Sequence, residues 1–501
     1  MKHLSLTTCA VIVLAQAAAL PADTREGSGI KLVTKEVLLG KLPLMASLAE
    51  ETRATSLDGQ HLAFSVRHGL KWTIWVDGTE TTPYKDARLP VFSPNGKRLA
   101  FVANRDERLF MVVDGREIPA EDDATKAVFS PNSQRLAYGS RLGTNWFMAL
   151  DGRQGPAYDK LLELTIFSPD SKRFAHGAVR DGKWVVVVDG QEGKAYEGVG
   201  GRSLGFFSPD SQRYAYSGRR ANRYVMIVDG KESREYDLID SATYEFSPDS
   251  RHFSYNGQRD GKSYVVIDGD EREVPASKSC IMPRFSPDGR HLAFAVQRGT
   301  TWHMLADGKL GKAYDGISSD PVFSRDSRRM AYCAVRGQRS IVVADGQEGA
   351  QYDGLSMGPI EFSPDSKRLA YVALRGNGWH MVVDGVESRE YESVVGGDPN
   401  PPAAGKEETN LKQQPSPSEY LSSYFSPDSR HMAYCARRDQ KTYLVVDGVE
   451  TKGYERILSR RVFANDRTVR FIATRLDEKL EEEIVRVEVE IQTDGRSTTA
   501  K

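Results

Sequence analysis

The chain has 501 residues, with 68 Lys and Arg against 69 Asp and Glu, so its formal net charge is -1. This balance argues against a nucleic-acid-binding protein, which normally carries a basic surplus. Hydrophobic residues make up 39% of the chain, too many for a wholly disordered protein and too few for a multispan membrane protein.

Residues 1–22 have the pattern of a secretory signal peptide. Lys2 and His3 give a short positive start, residues 4–20 are largely apolar, and small residues follow, with cleavage expected after Ala19 or Ala22. The apolar stretch is too short and too interrupted to predict a membrane anchor. The sequence therefore predicts export to the periplasm or the extracellular space, with no integral membrane span left after signal removal.

Residues 50–495 are a series of near-copies of one unit of about 39 residues. The phrase Phe-Ser-Pro-Asp/Asn-Ser/Gly marks each unit, and a copy at Phe323 has Arg325 in place of Pro. Degenerate copies near Thr55 and at Phe463 bring the number of units to eleven. The complete phrases begin at Phe92, Phe129, Phe167, Phe207, Phe246, Phe285, Phe362 and Phe425.

Each unit is predicted to form four short antiparallel strands. In the unit that begins at Phe362, a strand ends at the phrase, residues 368–373 and 379–383 form the second and third strands, and residues 390–395 form the fourth. The Pro-Asp-Ser turn and the Asp384-Gly385 hairpin pair separate these strands. Units of this kind, rich in β-branched and aromatic residues, predict an all-β protein, a β-propeller with about eleven blades.

Eleven units exceed the four to eight blades of ordinary rings, so two rings are favoured over one large ring. The last unit lacks a fourth strand, and residues 30–39, within the N-terminal segment 23–49, have strand character. We expect this segment to supply the missing strand and close the ring. Units two to five also resemble units six to nine in order, which indicates that a block of four blades was duplicated.

One interruption breaks the spacing of the units. Residues 397–419 are rich in Pro, Gly and polar residues, which predicts a flexible surface insertion within the repeats. Such an insertion is either a tolerated loop or a lid over the ring, and the sequence favours the loop.

The phrase Phe-Ser-Pro-Asp-Ser/Gly, followed by Lys/Arg-Arg-Leu-Ala-Tyr, resembles the TolB-type β-propeller repeat. That family includes the periplasmic Tol–Pal translocation protein and the propellers of dipeptidyl-peptidase-like enzymes. The resemblance covers about residues 50 to 495, and it implies binding of proteins or peptides through the ring face or channel. It does not carry an activity, because one fold serves many functions.

An arginine near the end of the second strand recurs in every unit, and Arg298, Arg336 and Arg375 represent this position in consecutive units. The planar, permanently charged guanidinium suits recognition of carboxylates or phosphates. One interpretation is a cationic face for an acidic protein or peptide or an anionic polysaccharide. The favoured interpretation is structural, in which these arginines pair with acids such as Asp315 and Asp353 at the ends of the fourth strands.

Three charged residues break the repeat just before the first-strand Phe, namely Glu245, Arg284 and Glu361. They are candidates for a ligand-binding site at the channel mouth, although edge residues of no special role would look the same. The histidines occupy repeated structural positions, so neither a metal site nor a cofactor is predicted. The sequence favours a non-catalytic binding scaffold, and the alternative is a carbohydrate- or peptide-active enzyme at the channel mouth.

Overall fold

A computed structural model describes residues 23–27, 29–42, 52–200, 204–240, 244–274, 283–356, 360–395 and 424–493. The signal-like residues 1–22 and the insertion at 397–419 lie outside the described residues. The described residues form strands, turns and bends. None of them belongs to a helix long and apolar enough to cross a membrane.

The second and third strands form the central pair of the sheet in every blade. They pair antiparallel, as from Ala370↔Val383 to Arg375↔Gly378, and bury their Leu-Ala-Tyr and Val-Val side chains on both faces. The second strands are Leu62–His68, Leu99–Arg105, Leu136–Leu142, Phe174–Arg180, Tyr214–Arg220, Phe253–Arg259, Leu292–Arg298, Met330–Arg336, Leu369–Arg375, Ala433–Arg438 and Thr468–Leu476. The third strands are Lys71–Val76, Arg108–Val113, Asn145–Leu150, Lys183–Val188, Arg223–Val228, Lys262–Ile267, Thr301–Ala306, Arg339–Ala344, Gly378–Val383, Lys441–Val446 and Glu482–Thr493.

The fourth strands follow an Asp-Gly turn in the first ten blades. Both turn residues have positive φ, 53° at Asp189 and 81° at Gly190 in blade 4, as a tight hairpin turn requires. These strands are Thr79–Glu80, Arg116–Glu121, Arg153–Tyr158, Gln191–Glu192, Lys231–Glu232, Asp270–Val274, Lys309–Leu310, Gln347–Tyr352, Val386–Glu387 and Val449–Glu450. In blade 11 the fourth strand is Ile30–Lys41, which pairs antiparallel with Glu482–Thr493 and extends into a hairpin with Asp23–Gly27.

The first strands pair with the second strands, and most are split by an irregular segment that bulges out of the sheet. Their bounds are Arg53–Thr55, Asp86–Phe92, Asp123–Ala124 with Val128–Phe129, Lys160–Phe167, Gly198–Val199 with Phe206–Phe207, Leu238–Ile239 with Glu245–Phe246, Arg284–Phe285, Gly316–Ile317 with Val322–Phe323, Gly354–Leu355 with Glu361–Phe362, Ser393–Val395, and Arg456–Ile457 with Val462–Asn465. Bulges of this kind re-aim side chains and are common beside functional sites.

The fourth strand predicted over residues 390–395 is wrong in extent. In blade 9 the fourth strand is Val386–Glu387, and Tyr391 adds one bridge to Trp379. Ser393–Val395 instead pairs with Ala433–Arg438 as the first strand of blade 10. The chain crosses between blades at this point, and both halves of the crossing are apolar enough to resemble one strand.

The described residues form one closed ring of eleven blades, so the expectation of two rings is wrong. A hydrophobic cluster lies between each pair of successive blades, giving eleven clusters in the described part of the chain. The closing cluster packs Leu62, Phe64 and Trp75 of blade 1 against Ile472 and Ile484 of blade 11. Each blade buries its apolar faces against its two neighbours, and closing the ring gives every blade a neighbour on both sides.

Candidate functional site

The arginine at the end of the second strand belongs to a three-residue contact between blades. In blade 6, Arg259 donates two hydrogen bonds of 2.7 and 2.9 Å to Glu271, and its guanidinium lies 5.7 Å from the ring centroid of Tyr236 in blade 5. The Tyr236 hydroxyl donates to the same carboxylate at 2.8 Å. We call this Tyr–Glu–Arg arrangement the interblade clamp.

The interblade clamp recurs around the ring, with the Tyr in one blade and the Glu and Arg in the next. Charge-assisted bonds shared with a tyrosine hydroxyl fix neighbouring blades in register. The other members with all three contacts are Tyr84–Glu117–Arg105, Tyr158–Glu192–Arg180, Tyr196–Glu232–Arg220 and Tyr314–Glu348–Arg336. In Tyr391–Glu450–Arg438 both contacts to the glutamate are kept, but the guanidinium lies over Tyr443.

Two of the three arginines predicted as ligand-binding residues lie in such contacts. Arg336 donates to Glu348 at 2.7 and 3.0 Å, and Arg375 donates to Glu387 at 2.7 Å and lies over Tyr352. Arg298 differs, because Leu310 stands where the other blades have the glutamate, and the Arg298 side chain is exposed. Arg298 is therefore the member of the three that is available to a ligand.

The partners of these arginines are not the acids that the sequence suggested. Asp315 and Asp353, at the ends of fourth strands, accept hydrogen bonds from the backbone of Gly337 at 2.6 Å and Gly376 at 2.7 Å in the next blade. The glutamate three residues after the turn aspartate takes the arginine instead. The sequence contained a signal for this pairing, since a Glu three residues and a Tyr seven residues after the turn aspartate recur in most units.

The register-breaking residues lie on the first strands, which form the inner edge of the ring. Arg284 of blade 7 donates to Glu245 of blade 6 and to Asp320 of blade 8, both at 3.1 Å. One side chain can bridge three successive blades only where the blades converge. We call these three residues the inner-edge cluster.

The inner-edge cluster is half-buried but reachable from solvent. Side-chain exposure is 24% for Arg284, 25% for Glu245 and 35% for Asp320. Burial raises the pKa of the Glu245 carboxyl, and the charge of Arg284 opposes that rise. Asp320 was not singled out in the sequence, because it lies in the irregular segment before the first-strand Phe rather than beside it.

Glu361 occupies the same position on the first strand of blade 9, two blades after Arg284, and does not join the inner-edge cluster. Its carboxylate accepts a 2.8 Å hydrogen bond from the backbone nitrogen of Tyr424 in blade 10. Glu361 therefore connects blades 9 and 10 beside the insertion. Residues 395 and 424 are the described residues on either side of that insertion.

No protein-family model matches the chain, and no curated protein matches it in sequence. Solved structures that match it include dihydro-heme d1 dehydrogenase NirN in complex with DHE, at 15% identity, TM-score 0.30 and coverage of 62% of this chain and 75% of that chain. TolB from Acinetobacter baumannii matches at 14% identity, TM-score 0.23 and coverage of 58% and 77%. The ring of eleven blades itself confirms the β-propeller fold that the resemblance to the TolB-type repeat implies.

A third solved structure matches at a similarly low identity and TM-score. The propeller domain of the Trilobed protease from Pyrococcus furiosus is 12% identical, with TM-score 0.25 and coverage of 61% of this chain and 96% of that chain. At these identities the likeness concerns the propeller fold, and it does not extend to a ligand or an activity.

The repeated histidines each have a partner within their own blade. His61, His252, His291 and His431 follow the first turn, and their Nδ1 atoms lie 2.5 to 2.7 Å from the aspartate of the Asp-Gly turn. In the described part of the chain, no three His, Cys, Asp or Glu side chains converge in the way a metal ion requires.

The two duplicated blocks differ at the inner edge. In blades 2 to 5 the residue before the first-strand Phe is apolar and packs into the interblade cluster, as Val91, Val128, Ile166 and Phe206 do. In blades 6 to 9 the same position holds Glu245, Arg284, Val322 and Glu361. At this position the inner edge is therefore apolar in blades 2 to 5 and charged in blades 6, 7 and 9.

Proposed function

We propose that the chain is an exported propeller scaffold, without catalytic activity of its own, that binds a protein or peptide at the charged side of its inner edge. The inner-edge cluster carries this proposal. Blades 2 to 5 pack with apolar residues at the same position, so blade packing alone does not need charges there. Taking charges partly out of water has a desolvation cost, and a ligand that uses these groups would offset it.

The charged groups of the inner-edge cluster indicate the class of ligand. Arg284 is shared between two carboxylates, so the cluster offers carboxylate oxygens together with a guanidinium, a set that suits the mixed charges of a protein or peptide. An anionic ligand, such as an acidic polysaccharide, is favoured less, because Arg336 and Arg375 already carry intramolecular ion pairs.

Capture experiments with matched variants test the proposal. The neutralised variant Glu245→Gln/Arg284→Gln/Asp320→Asn is compared with wild type and with Arg339→Gln/Asp353→Asn, which removes an exposed ion pair of blade 8. We expect proteins captured from the exported fraction by wild type and by the control to be lost with the neutralised variant. Identical sets of captured proteins for all three would refute the inner-edge site.

Export rests on residues 1–22 and is tested separately. The expected result is a mature N-terminus near residue 20 to 23 in the exported fraction, read by N-terminal sequencing, and retention of a variant that lacks residues 2–22 inside the cell. An intact Met1 on the exported protein would contradict it.

The alternative is a carbohydrate- or peptide-active enzyme at the same place. The raised pKa of Glu245 favours it, because burial that raises the pKa of a carboxyl is a property of general acids in enzymes. The ion pairs with Arg284 favour binding instead. Hydrolysis of a glycan or peptide library by wild type, abolished in Glu245→Gln, would establish the enzyme.

A further inference from the structure

The junction between blades 6 and 7 lacks three contacts that recur at other junctions. Its interblade clamp is missing, because Leu310 replaces the glutamate and residue 275, where other blades have the Tyr, is Pro. Blade 6 has His252 where Arg213 of blade 5 donates to two carbonyl oxygens of the following turn, at 3.4 and 3.1 Å. Blade 7 has Gly289 where Ser250 of blade 6 accepts from the Asp210 backbone nitrogen at 2.9 Å.

A cavity of about 380 Å³ lies between the two blades, and its lining includes His252 and Gly289, the residues that replace the two turn contacts. Its floor is apolar and includes Ile267 and Val274 of blade 6 and Phe285, Phe294 and Leu305 of blade 7. Ligand sites are commonly of this size and character, with an apolar lining and a few placed polar groups.

In the described part of the chain, the acidic groups at the cavity are ion-paired, whereas two of its arginines are not. Glu273 is paired with Lys262 at 2.9 Å, and Asp307 is paired with His291 at 2.7 Å. Arg272 and Arg290 also line the cavity, are exposed, and have no side-chain partner among the described residues. Arg272 comes from blade 6 and Arg290 from blade 7, so a free guanidinium lies on each wall.

We propose that this cavity binds an extended peptide in which one bulky apolar residue is flanked by acidic residues. The apolar side chain fills the cavity, and a carboxylate on either side pairs with Arg272 or Arg290. Among the described strands, the fourth strand of blade 6, Asp270–Val274, pairs only with Lys262–Ile267, so its other edge offers backbone groups to an added strand. This edge favours a peptide over a small amphiphile.

The site is separate from the inner-edge cluster and does not depend on the proposed function. Arg284 points toward Glu245 and Asp320, whereas its neighbour Phe285 faces the cavity. Variants of Arg272 and Arg290 therefore test this site alone, and variants of the inner-edge cluster test the other.

The test measures binding of fluorescein-labelled peptides Gly-Ser-Asp-X-Glu-Ser-Gly, with X as Leu, Phe, Met or Ser, by fluorescence anisotropy. We expect wild type to bind at least one of the apolar peptides and to bind the Ser peptide at least about tenfold more weakly. Arg272→Glu/Arg290→Glu should weaken the apolar peptides by about tenfold or more, and should gain binding of a Gly-Ser-Lys-Leu-Lys-Ser-Gly peptide.

Arg328→Glu is the matched control, because Arg328 holds the turn position of Arg290 in the next blade. It should bind as wild type does, and thermal melting should show all variants folded. Absence of wild-type binding to all four peptides up to about 1 mM, or equal affinity in the double variant, overturns the proposal. Binding of sodium dodecanoate with no response to the peptides overturns it as well, because the cavity would then be a site for small amphiphiles.

Discussion

Glu36 accepts a 2.9 Å hydrogen bond from Arg475, although the two residues are 439 positions apart in the chain. Glu36 lies on the strand Ile30–Lys41 and is 2% exposed. It also accepts from the Tyr454 hydroxyl at 2.9 Å and pairs with Lys452 at 2.8 Å. The N-terminal strand thus brings to blade 11 the glutamate of an interblade clamp that the C-terminal repeat lacks.

Glu36→Ala is expected to lower the free energy of unfolding by about 3 kcal/mol, because it removes a buried carboxylate that pairs with Lys452, accepts from the Tyr454 hydroxyl and is one of the two carboxylates that Arg475 contacts. Urea unfolding followed by fluorescence measures the change. Glu490→Gln is the control, since its exposed pair with Lys35 also connects the N-terminal strand to blade 11 and should contribute at most about 1 kcal/mol. Equal effects of the two substitutions would show that Glu36 does not secure the closure.

The repeated parts of this fold could be predicted from the sequence, and the exceptions to the repeat could not. The Phe-Ser-Pro-Asp phrase and the Asp384-Gly385 turn fix local backbone geometry, so the second and third strands between them followed from residue types alone. The number of rings could not be predicted, because it depends on the small angle between successive blades, which many interblade contacts set together.

The candidate site was also predictable from the sequence only in part. Glu245, Arg284 and Glu361 were recognisable because they break a repeated position, but only the structure separates Glu361 from the other two and adds Asp320. The place of a side chain in an irregular segment follows from the neighbouring blades. Sequence offsets within one blade carry no information about it.

Gly78 tests the contact between blade 1 and the N-terminal strand. A Cβ at Gly78 would lie 2.1 Å from the carbonyl oxygen of Leu39, and Gly78 has φ of 97°. Gly190 occupies the same turn position in blade 4 with φ of 81°, and a Cβ there meets nothing within 4 Å. Both Ala variants bear the cost of positive φ, about 1 kcal/mol.

Gly78→Ala should cost about 2 kcal/mol more than Gly190→Ala, since the Leu39 strand must move away. The comparison uses urea unfolding of the two variants under one set of conditions. If both lose the same stability, the blade 1 turn does not bear on the closing strand.

His176 is expected to make the stability of the ring depend on pH. It stands where other blades have Phe or Tyr, it is 6% exposed, and burial lowers its pKa to about 4. The unfolded chain has a histidine pKa of about 6.5, so between these values the unfolded state binds more protons. Stability from this group is therefore present above about pH 6.5 and is lost as the pH falls toward 4.

The variant His176→Phe removes this dependence, because Phe101 and Phe294 fill the same position in other blades. Between pH 7 and pH 4, wild type should lose up to about 3 kcal/mol more than the variant, measured by urea unfolding at each pH. Measurements at pH 8, where the histidine is neutral in both states, give the packing difference alone. Parallel curves for the two proteins would show that His176 is not the source.

Leu310→Glu should restore part of the missing contact at the junction of blades 6 and 7. It places a carboxylate at the position of Glu348 in blade 8, within the same blade as the exposed Arg298. We expect a gain of about 0.5 to 1 kcal/mol, the range of a partly exposed ion pair. Leu310→Gln controls for loss of the 39% exposed apolar side chain.

A double-mutant cycle with Arg298→Ala separates the pair from other effects of the carboxylate. The gain from Leu310→Glu should disappear when Arg298 is absent, as read from the midpoint of urea unfolding. A gain that persists without Arg298 would mean that the carboxylate acts elsewhere. Repair of this junction should leave the Arg272 and Arg290 cavity open, because the clamp position and those arginines come from different parts of the two blades.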